Sequence, residues 1–228
     1  MSEKSGTEKK VMSRKVIYTA DGSTSILIPD MNEMYHSRKG AVIESKHVYI
    51  DNGISLVKSK ELNVLEIGMG TGLNVFLACL YGEENGLTIN FETLEPYPLS
   101  EHEWSQLNFH EILPISQDTV VKCHSSNSSE KTQINERFSL LKYTVLLEEF
   151  ETNSVYDIIL FDAFAPNKQA SPWSIKNIQK AYQILKPKGI LTTYCAQGQF
   201  KRDLKSAGFK VTNPEGPLGK REITVAYK

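Results

Sequence analysis

One stretch of the sequence limits the fold more than any other. An apolar run over residues 64–67 leads into alternating glycines, Gly68, Gly70 and Gly72, and an apolar segment over residues 75–80 follows at once. This pattern predicts a strand, a tight turn and a helix. Glycine lets the backbone approach a ligand closely, and a helix beginning there points its N-terminus at that ligand. The stretch therefore predicts a ligand site, with a purely structural turn as the alternative.

The spacing of the glycines indicates what kind of ligand to expect. The motif is Glu66-x-Gly68-x-Gly70-x-Gly72. It is neither the Gly-x-Gly-x-x-Gly fingerprint of dinucleotide sites nor the Gly-Lys-Ser/Thr of a phosphate loop. The motif therefore favours a nucleoside site over a pyrophosphate site.

Composition and charge exclude several classes of protein. The chain has 228 residues, 40% of them apolar, which suits one domain with a small extension, and its net charge of -1 confines any nucleic-acid contact to a local patch. The three cysteines are far apart, the five histidines show no ligand spacing, and we expect neither a disulfide nor a metal. The polar N-terminus and the lack of any run near the roughly 20 apolar residues of a membrane span predict a cytoplasmic protein without membrane contact.

The first 60 residues precede the main alternating pattern and are too few for a separate domain. The elements predicted there are a tail over residues 1–13, strands over 15–19 and 25–28 joined at Asp21-Gly22, and helical segments over 41–52 and up to 58. We expect residues 1–60 to form a cap over the site, and residues 61–228 to form the main domain.

From residue 61 onward, strand and helix patterns alternate. After the glycine stretch, strands are predicted over residues 87–93, 138–143, 156–161, 190–194, 210–212 and 222–227, and helices over 99–109, 174–185 and 199–207, with a short helix after 143. The polar run over 125–130 is expected to be a surface loop. This alternation predicts a mostly parallel sheet with helices on both faces.

Acidic residues stand where three of these strands end. Glu66 to Gly72 follow the first strand, Glu95 the second, and Asp162 the strand over residues 156–161. Ligands of such sheets bind beyond the carboxyl ends of the strands. An acid roughly 20 residues after the glycine turn is where a ribose carboxylate belongs, although Glu95 also suits a solvated loop.

Further motifs carry a family resemblance. The first strand ends in Glu-x-Gly-x-Gly-Thr-Gly, the second in an acid, and no second glycine fingerprint follows, which resembles class I S-adenosylmethionine-dependent methyltransferases. Other segments resemble the methyltransferase half of the MnmC family of bifunctional tRNA enzymes, from about residue 21 to 227. These segments are Pro29-x-x-x-Glu33-x-Tyr35-x-Ser37, Phe161-Asp162-Ala163-Phe164-Ala165-Pro166 with Trp173, Gly198-x-Phe200-x-Arg202-x-Leu204 and Gly219-Lys220-Arg221-Glu222.

The resemblance implies a fold, a reaction and partners. The implied fold is a Rossmann-like α/β domain with a mostly parallel seven-stranded sheet and an antiparallel C-terminal strand. The implied reaction transfers a methyl group from S-adenosylmethionine to the amine of 5-aminomethyl-(2-thio)uridine at the tRNA wobble position. In the bifunctional relatives a flavin oxidase half exposes that amine. Because this chain ends at Lys228 without a second fingerprint, we expect no FAD, an amine supplied by other proteins, and a monomer.

The resemblance also assigns site residues. The cofactor-binding set is Glu66, Gly68, Met69, Gly70, Gly72, Asn74, Glu95, Thr144 and Asp162. The substrate-binding set is Tyr35, Ser37, Phe164, Pro166, Trp173, Lys220 and Arg221. Relatives carry a Gly-Asp pair after the third strand, whose acid receives the adenine amino group. Here Tyr143-Thr144 stands in that place, so the hydroxyl of Thr144 is the candidate adenine contact.

The chemistry of an amine substrate gives Asp162 its candidate role. A free alkylamine is mostly protonated at neutral pH, so a catalytic group has to accept a proton. Asp162 is the candidate, and burial near Phe164 and Trp173 would raise its pKa and make it a better acceptor. The alternative is a turn or N-cap acid. The two aromatic residues could stack on an extruded uracil or belong to the core.

Positive charge is concentrated in the last quarter of the chain. We call these residues the basic group: Lys201, Arg202, Lys205, Lys210, Lys220 and Arg221. With few acids nearby in the sequence, this basic group could neutralise tRNA phosphates, or it could be a solvated helix face.

Two other functions fit parts of the pattern. Aminopropyl transfer to polyamines uses the same fold but needs acidic residues for a polycationic substrate, and the basic group argues against it. A non-catalytic RNA-binding module is the second alternative. The intact Glu66, glycines, Glu95 and Asp162 argue against that one.

Overall fold

The structure is a computed structural model, and it describes residues 13–217 and 219–228. Residues 1–12, nearly all of the predicted tail, lie outside the described residues. The strands are β1 (Lys15–Tyr18), β2 (Thr24–Ile28), β3 (Glu33–Met34), β4 (Glu61–Ile67), β5 (Thr88–Leu94), β6 (Thr132–Asn135), β7 (Phe138–Tyr143), β8 (Tyr156–Phe161), β9 (Leu185–Thr193), β10 (Lys210–Thr212) and β11 (Thr224–Tyr227). The α-helices are α1 (Ala41–Ser45), α2 (Leu73–Asn85), α3 (Glu101–Trp104), α4 (Phe109–Ile112), α5 (Gln117–Ser125), α6 (Ile175–Ile184) and α7 (Gly198–Ser206).

The main sheet has the order β10-β11-β9-β8-β4-β5-β7-β6. Its five central strands, from β9 to β7, run parallel, whereas β6, β10 and β11 are antiparallel to their neighbours. The chain moves outward from β4 through β5 to β7 and then returns to β8 on the other side of β4. The switch in direction therefore lies between β4 and β8, where such sheets bind ligands. The predicted fold class is confirmed.

The core lies on both faces of this sheet. Alternate residues of β4 point to opposite faces: Leu62 and Val64 belong to one buried cluster, and Leu65 and Ile67 to the other. The first cluster is closed by α2 and the N-terminal segment, and the second by α6 and α7. Because strands buried on both faces read as continuous apolar runs, the sequence pattern located these strands well.

The register of the central strands aligns their carboxyl ends. Ile67 of β4 lies opposite both Leu94 of β5 and Phe161 of β8. The next residues are held in line by backbone hydrogen bonds, from Gly68 N to Leu94 O and from Asp162 N to Ile67 O, each 2.9 Å long. The glycine loop, Glu95 and Asp162 therefore emerge at the same edge of the sheet.

The N-terminal segment forms a small antiparallel sheet, β1-β2-β3, followed by α1 and a π-helical turn over Lys46–Asp51. The predicted hairpin and the helical character after residue 41 are confirmed, while β3 was not predicted. Asn108 ties the hairpin to the main domain: its Oδ1 accepts from Thr24 N at 2.8 Å and its Nδ2 donates to Gly22 O at 2.9 Å.

Several predicted boundaries are wrong, each for a local reason. The helix expected over residues 99–109 is interrupted: α3 ends at Trp104 and α4 begins at Phe109, because the backbone N of Asn108 donates to Thr24 Oγ1 of the hairpin at 2.9 Å. The helix expected after residue 143 is a turn, whose carbonyls at Leu147, Glu148 and Phe150 accept bonds from Lys180 Nζ. The sheet has eight strands rather than seven, because β6 pairs with the edge of β7.

The last strands also differ in detail from the prediction. β9 begins at Leu185, before Pro187 and Gly189, and its pairing jumps from Tyr156↔Leu185 to Ile158↔Ile190, so residues 186–189 bulge out of the ladder. β11 begins at Thr224 rather than at 222. Across residues 13–217 and 219–228, the structure contains no helix whose length and hydropathy would let it cross a membrane.

Candidate active site

A cavity of about 530 Å³ opens at the carboxyl ends of β4, β5 and β8. Of the residues predicted for the site, ten line it: Tyr35, Ser37, Gly68, Met69, Gly70, Asn74, Glu95, Asp162, Phe164 and Lys220. They come from the N-terminal segment, three strand ends, α2 and the C-terminal loop. The prediction that the strand ends converge on one site is confirmed.

The glycine loop packs so closely against its neighbours that side chains would not fit at two of its positions. Gly68 has a φ of +95°, and a Cβ there would lie 2.6 Å from the carbonyl oxygen of Asp162. Gly70 has a φ of +52°, and a Cβ there would lie 2.7 Å from Cδ1 of Tyr35. The loop therefore needs glycine both for its backbone conformation and for close approach by its neighbours.

Two histidines hold the middle of this loop. His124 Nε2 donates to Thr71 O at 3.1 Å, and its ring is stacked on Trp104 with centroids 5.4 Å apart. His36 Nε2 lies 3.4 Å from Thr71 Oγ1. Burial lowers the pKa of each histidine to about 4, so both rings are neutral at physiological pH. Neither histidine was expected here, because the sequence offers no spacing that links them to the loop.

Glu95 connects the loop to the second strand. Its Oε2 accepts from Gly70 N at 2.8 Å and its Oε1 from Tyr97 N at 2.9 Å. Burial raises its pKa, while these two backbone donors act in the opposite direction. Each carboxylate oxygen has one protein donor and keeps capacity to accept another hydrogen bond, such as one from a hydroxyl of a ribose diol.

Glu66 lies behind the loop and does not line the cavity. Its side chain is buried; Oε2 accepts from Thr93 Oγ1 at 2.7 Å, and Oε1 has no hydrogen-bond partner. Burial raises the pKa of Glu66 to about 8, so this acid is largely protonated at neutral pH. It belongs to the support of the glycine loop rather than to its ligand-facing surface.

Asp162 is held by two donors from distant parts of the chain. Tyr49 Oη donates to Oδ1 at 2.6 Å, and Asn74 Nδ2 donates to Oδ2 at 2.8 Å. Burial raises the pKa of Asp162 to about 7, and these two hydrogen bonds moderate that shift. A carboxyl with this pKa can exchange a proton at physiological pH.

Aromatic residues cover the cavity on its cap side. The ring of Tyr35 packs edge-on against Phe164, with centroids 5.0 Å apart. Trp173 is buried between Phe161 and Phe200, and its Nε1 donates to Phe164 O at 2.8 Å. Of the two readings of Trp173, the structure supports the core one. Trp173 does not line the cavity, but it fixes the backbone of Phe164, which does.

A charged pair joins the cap to the C-terminal loop across the cavity. Lys220 Nζ donates to Glu44 Oε1, and Glu44 Oε2 accepts from Ser37 N at 2.8 Å. The ammonium of Lys220 also lies 5.2 Å from the ring centroid of Tyr194. Glu44 and Tyr194 line the cavity but were not predicted, because nothing in their local sequence marks them.

Four other predicted residues do not line the cavity. Gly72 is the N-cap of α2, and the side chains of Pro166 and Arg221 lie outside the lining. Thr144 is exposed, with its Oγ1 2.5 Å from Ser128 Oγ. The wall expected to hold adenine is instead apolar, formed by Leu94, Val145, Leu146 and Leu147. The hydroxyl of Thr144 therefore faces away from the space that it was assigned to.

The basic group is more neutralised than its sequence neighbourhood indicated. Lys201 pairs with Glu222 at 2.8 Å, and Lys220 pairs with Glu44, so the expectation of few nearby acids is wrong. Arg202, Lys205, Lys210 and Arg221 are exposed. No cluster of three or more His, Cys, Asp or Glu side chains able to hold a metal ion occurs in the described part of the chain.

Comparison with known proteins identifies the class first. Residues 109–228, just over half of the chain, match a family described as S-adenosyl-L-methionine-dependent methyltransferase. The chain belongs to this methyltransferase family. The matched segment begins after the glycine loop and includes Asp162, Phe164 and the Lys220-Arg221 pair.

More specific similarity points to MnmC. The chain is 26% identical over 216 residues to the tRNA 5-methylaminomethyl-2-thiouridine biosynthesis bifunctional protein MnmC of Cupriavidus metallidurans, covering 87% of this chain and 32% of that protein. An uncharacterised protein of Methanocaldococcus jannaschii is 23% identical over 93% of this chain and 59% of its own length. The structure of MNMC2 from Aquifex aeolicus superposes with a TM-score of 0.75 at 25% identity, over 96% of this chain and 71% of that one.

These relatives confirm the resemblance to the methyltransferase part of MnmC. The chain spans about a third of the length of the curated MnmC proteins that it matches. What those longer proteins do as a whole is therefore carried to this chain only as a proposal.

Proposed function

We propose that this methyltransferase transfers a methyl group from S-adenosylmethionine to the amine of 5-aminomethyl-(2-thio)uridine at the wobble position of tRNA. One observation carries the proposal: the strand register places the glycine loop, Glu95 and Asp162 around one cavity. The glycine loop and Glu95, which suit a nucleoside, thus face the same cavity as Asp162, which can accept a proton. The names of the MnmC relatives support the choice of tRNA.

The residues at the loop side fit S-adenosylmethionine. Gly68 and Gly70 line the cavity with bare backbone, and Glu95 offers two carboxylate oxygens at the ribose position. The apolar wall over residues 145–147 and Leu94 suits a purine ring. We assign Gly68, Met69, Gly70, Asn74 and Glu95 to cofactor contact and Glu66 and Gly72 to the support of the loop. When bound, the cofactor supplies a methyl group on a positively charged sulfur.

The charge of the cavity suits two cationic groups. Four carboxylates line it, from Glu33, Glu44, Glu95 and Asp162. Three cations line it, from Arg14, Lys168 and Lys220, so the lining has a formal charge of -1 when Asp162 is ionised, because four carboxylates face three cations. A sulfonium and an alkylammonium would therefore meet net negative charge.

Asp162 is the proposed proton acceptor. Its two oxygens each have one protein donor, so each keeps a lone pair for an N–H group of the substrate. One proton passes from the ammonium to the carboxylate, which leaves a neutral amine with a free electron pair. With its pKa near 7, Asp162 is ionised often enough to accept that proton and basic enough to hold it.

The substrate side carries groups suited to an extruded base. Phe164 and Tyr35 present aromatic surface, on which RNA-modifying sites commonly stack a splayed base. Ser37 and Lys220 lie beside them as polar contacts. We propose that residues 1–60 act as the cap that closes this side, and that residues 61–228 form the catalytic domain.

Contact with the tRNA backbone is proposed for a basic rim, defined as Arg38, Lys39 and Arg221. Arg38 and Lys39 follow Ser37 of the cavity wall, and Lys39 Nζ would lie 3.4 Å from a Cβ at Gly219, next to Lys220. The rim therefore joins the cap to the C-terminal loop at the mouth of the cavity. Such a cluster can neutralise phosphates near a bound anticodon.

The basic rim should increase the salt dependence of tRNA binding. The double variant Arg38→Ala/Arg221→Ala should bind tRNA more weakly and reduce the slope of log affinity against log salt by roughly 1 to 2. Lys60→Ala is the matched control, because Lys60 stands at the opposite, amino end of β4 and should leave the slope unchanged. Equal slopes for all three proteins would remove the rim from the tRNA interface.

The biological setting follows from the same proposal. We propose a cytoplasmic enzyme, acting as a monomer and without FAD, whose amine substrate is produced by other proteins. A supply reaction must leave a primary amine on the wobble uridine, either by oxidative removal of a larger substituent or by direct amination.

Incubation with methyl-labelled S-adenosylmethionine tests the function. Label should enter tRNA that carries 5-aminomethyluridine and should not enter the same tRNA with unmodified uridine. Spermidine and putrescine serve as competing acceptors, and transfer to them instead of tRNA would favour a small-amine transferase. Binding of both cofactor and tRNA without any transfer would favour a non-catalytic RNA-binding module.

A further inference from the structure

Tyr49 makes a contact that neither the sequence motifs nor the family match singles out. Its hydroxyl donates to Asp162 Oδ1 at 2.6 Å, although the two residues are 113 positions apart. The side chain is 2% exposed, yet it reaches the cavity wall. A buried phenol needs a hydrogen-bond partner, and here that partner is a carboxylate at the end of a strand.

The backbone around Tyr49 is fixed from two sides. It lies on the π-helical turn Lys46–Asp51, a rare geometry that occurs frequently at functional sites. Thr192 Oγ1 of β9 donates to Val48 O at 3.0 Å. A Cβ at Gly53 would lie 2.2 Å from Tyr49 O, so the following chain packs tightly against this turn. The position of the phenol is therefore set by the main sheet as well as by the cap.

The other oxygen of Asp162 completes the arrangement. Asn74 Nδ2 at the start of α2 donates to Oδ2 at 2.8 Å. With one donor on each oxygen, the plane of the carboxylate cannot rotate without breaking a hydrogen bond. The remaining lone pairs then point in fixed directions. Tyr49 thus fixes Oδ1 of Asp162, and Asn74 fixes Oδ2.

We propose that Tyr49 is a positioning residue for methyl transfer: its hydroxyl holds the ionised carboxylate of Asp162 in the orientation that receives the substrate amine. This inference rests on the proposed role of Asp162 as the proton acceptor. Tyr49 itself exchanges no proton and touches neither reacting atom.

The charged surroundings of Asp162 explain why such a donor matters. Burial raises the pKa of Asp162, and Glu44 adds to that effect, while Tyr49, Asn74 and Lys220 lower it. Glu66 and Tyr194 also face Asp162. Burial, followed by the charge of Asp162, raises the pKa of Tyr49 well above its ordinary value, so its hydroxyl remains a donor at every working pH.

The variant Tyr49→Phe removes the hydroxyl and keeps the ring. We expect the acid limb of the pH profile of single-turnover methyl transfer to move up by about one pH unit, because an ionised group loses a hydrogen bond. The maximal rate should fall roughly tenfold through the loss of orientation. The Kd for S-adenosylmethionine should stay within about twofold, since Tyr49 holds Asp162 rather than the glycine loop.

Tyr194→Phe is the matched control. Tyr194 also lines the cavity with a phenol, but its hydroxyl donates to the backbone oxygen of Ala163 at 2.8 Å rather than to a carboxylate. The acid limb of the pH profile of Tyr194→Phe should lie at the same pH as that of the wild-type enzyme, even if the rate falls. An unmoved limb in Tyr49→Phe, or equal shifts in both variants, would overturn the proposal.

A measurement without turnover separates this inference from the proposed function. NMR of the protein with isotope-labelled aspartate follows the Asp162 carboxyl directly, and Asp162→Asn assigns its signal. The pKa of Asp162 should rise in Tyr49→Phe and stay in Tyr194→Phe. If the wild-type protein fails to methylate the tRNA while the pKa shift is observed, the proposed function is wrong and the role of Tyr49 on the carboxylate stands. If no shift is observed, the role of Tyr49 is wrong.

Discussion

At the scale of single residues, Asp162 carries the largest expected effect. Asp162→Asn keeps the shape of the side chain but removes the proton acceptor, so the rate of methyl transfer should fall by roughly 10² to 10⁴. The introduced amide can be accommodated, since its oxygen can accept from Asn74 Nδ2 while its NH₂ group donates to the hydroxyl of Tyr49. Single-turnover rates at saturating tRNA and cofactor measure the change.

The matched control for this prediction is Asp118→Asn. Asp118 is an exposed acid of α5 that pairs with Lys122 at 3.4 Å. Its loss should leave the rate unchanged. A normal rate in Asp162→Asn would assign the proton transfer to another group.

Glu95 is the residue whose change should separate cofactor binding from chemistry. Glu95→Gln removes the negative charge and one acceptor oxygen at the ribose position, while the other oxygen can still accept from Gly70 N or Tyr97 N. We expect the Kd for S-adenosylmethionine to rise at least tenfold, because hydrogen bonds to charged groups contribute about 1.5 to 3 kcal/mol. Titration calorimetry measures this Kd. An unchanged Kd would place the ribose elsewhere.

At the scale of elements, alanine variants of two glycines separate the effect of backbone strain from the effect of contact with the cap. Gly70 and Gly86 have similar positive φ values, +52° and +61°, but only a Cβ at Gly70 has a neighbour within 4 Å, the ring of Tyr35. Gly86→Ala should lower the free energy of unfolding by about 1 kcal/mol, since L-residues disfavour this conformation, and Gly70→Ala should lower it further because it also displaces the ring of Tyr35.

Cofactor affinity should then differ between the two glycine variants. Gly70→Ala displaces Tyr35 and alters the glycine loop, so its Kd for S-adenosylmethionine should rise at least tenfold. Gly86→Ala, at the far end of α2, should bind normally. Equal affinities would show that Tyr35 and the loop adjust freely to each other.

The elements also show what the sequence could predict. β7, β8 and β10 begin and end at the predicted residues, because apolar strands and their turn residues are local signals. The convergence of Glu95 and Asp162 with the glycine loop followed from the rule for parallel sheets. Tyr49, Glu44 and the two histidines could not be found, because their roles depend on contacts between segments far apart in the chain. The orientation of Thr144 could not be found for the same reason.

At the scale of the whole molecule, buried acids make stability depend on pH. Glu66 and Asp162 have folded-state pKa values of about 8 and about 7, above their unfolded values, so folding takes up protons between pH 6.5 and 8. Their contribution is present at low pH and is lost as pH rises through the folded pKa values. The free energy of unfolding should therefore be higher at pH 6.5 than at pH 8, by about 1 to 2 kcal/mol.

The buried histidines act in the opposite direction at lower pH. The pKa values of His36 and His124 fall to about 4 in the folded state, below the ordinary 6.5, so their contribution is present above pH 6.5 and is lost as pH falls toward 4. Between about pH 4.5 and 6.5 the gain from the two histidines and the loss from the two acids largely cancel, so the four groups together predict a plateau of stability there and a decline above pH 6.5. Urea unfolding across this range measures it, and Glu66→Gln should flatten the decline toward pH 8. If the free energy of unfolding of Glu66→Gln fell toward pH 8 as much as that of the wild-type protein, Glu66 would not be the source of the decline.

The identity of the methylated nucleoside shows whether the enzyme acts on the amine of the wobble uridine. After reaction with methyl-labelled S-adenosylmethionine and tRNA bearing 5-aminomethyluridine, the tRNA is digested and its nucleosides are separated and identified by mass spectrometry. We expect the label on the amine nitrogen of the wobble uridine, as 5-methylaminomethyluridine, and we expect Asp162→Asn to slow its appearance by roughly 10² to 10⁴. Label on a ribose, on a ring atom or on another nucleoside would contradict the proposed function.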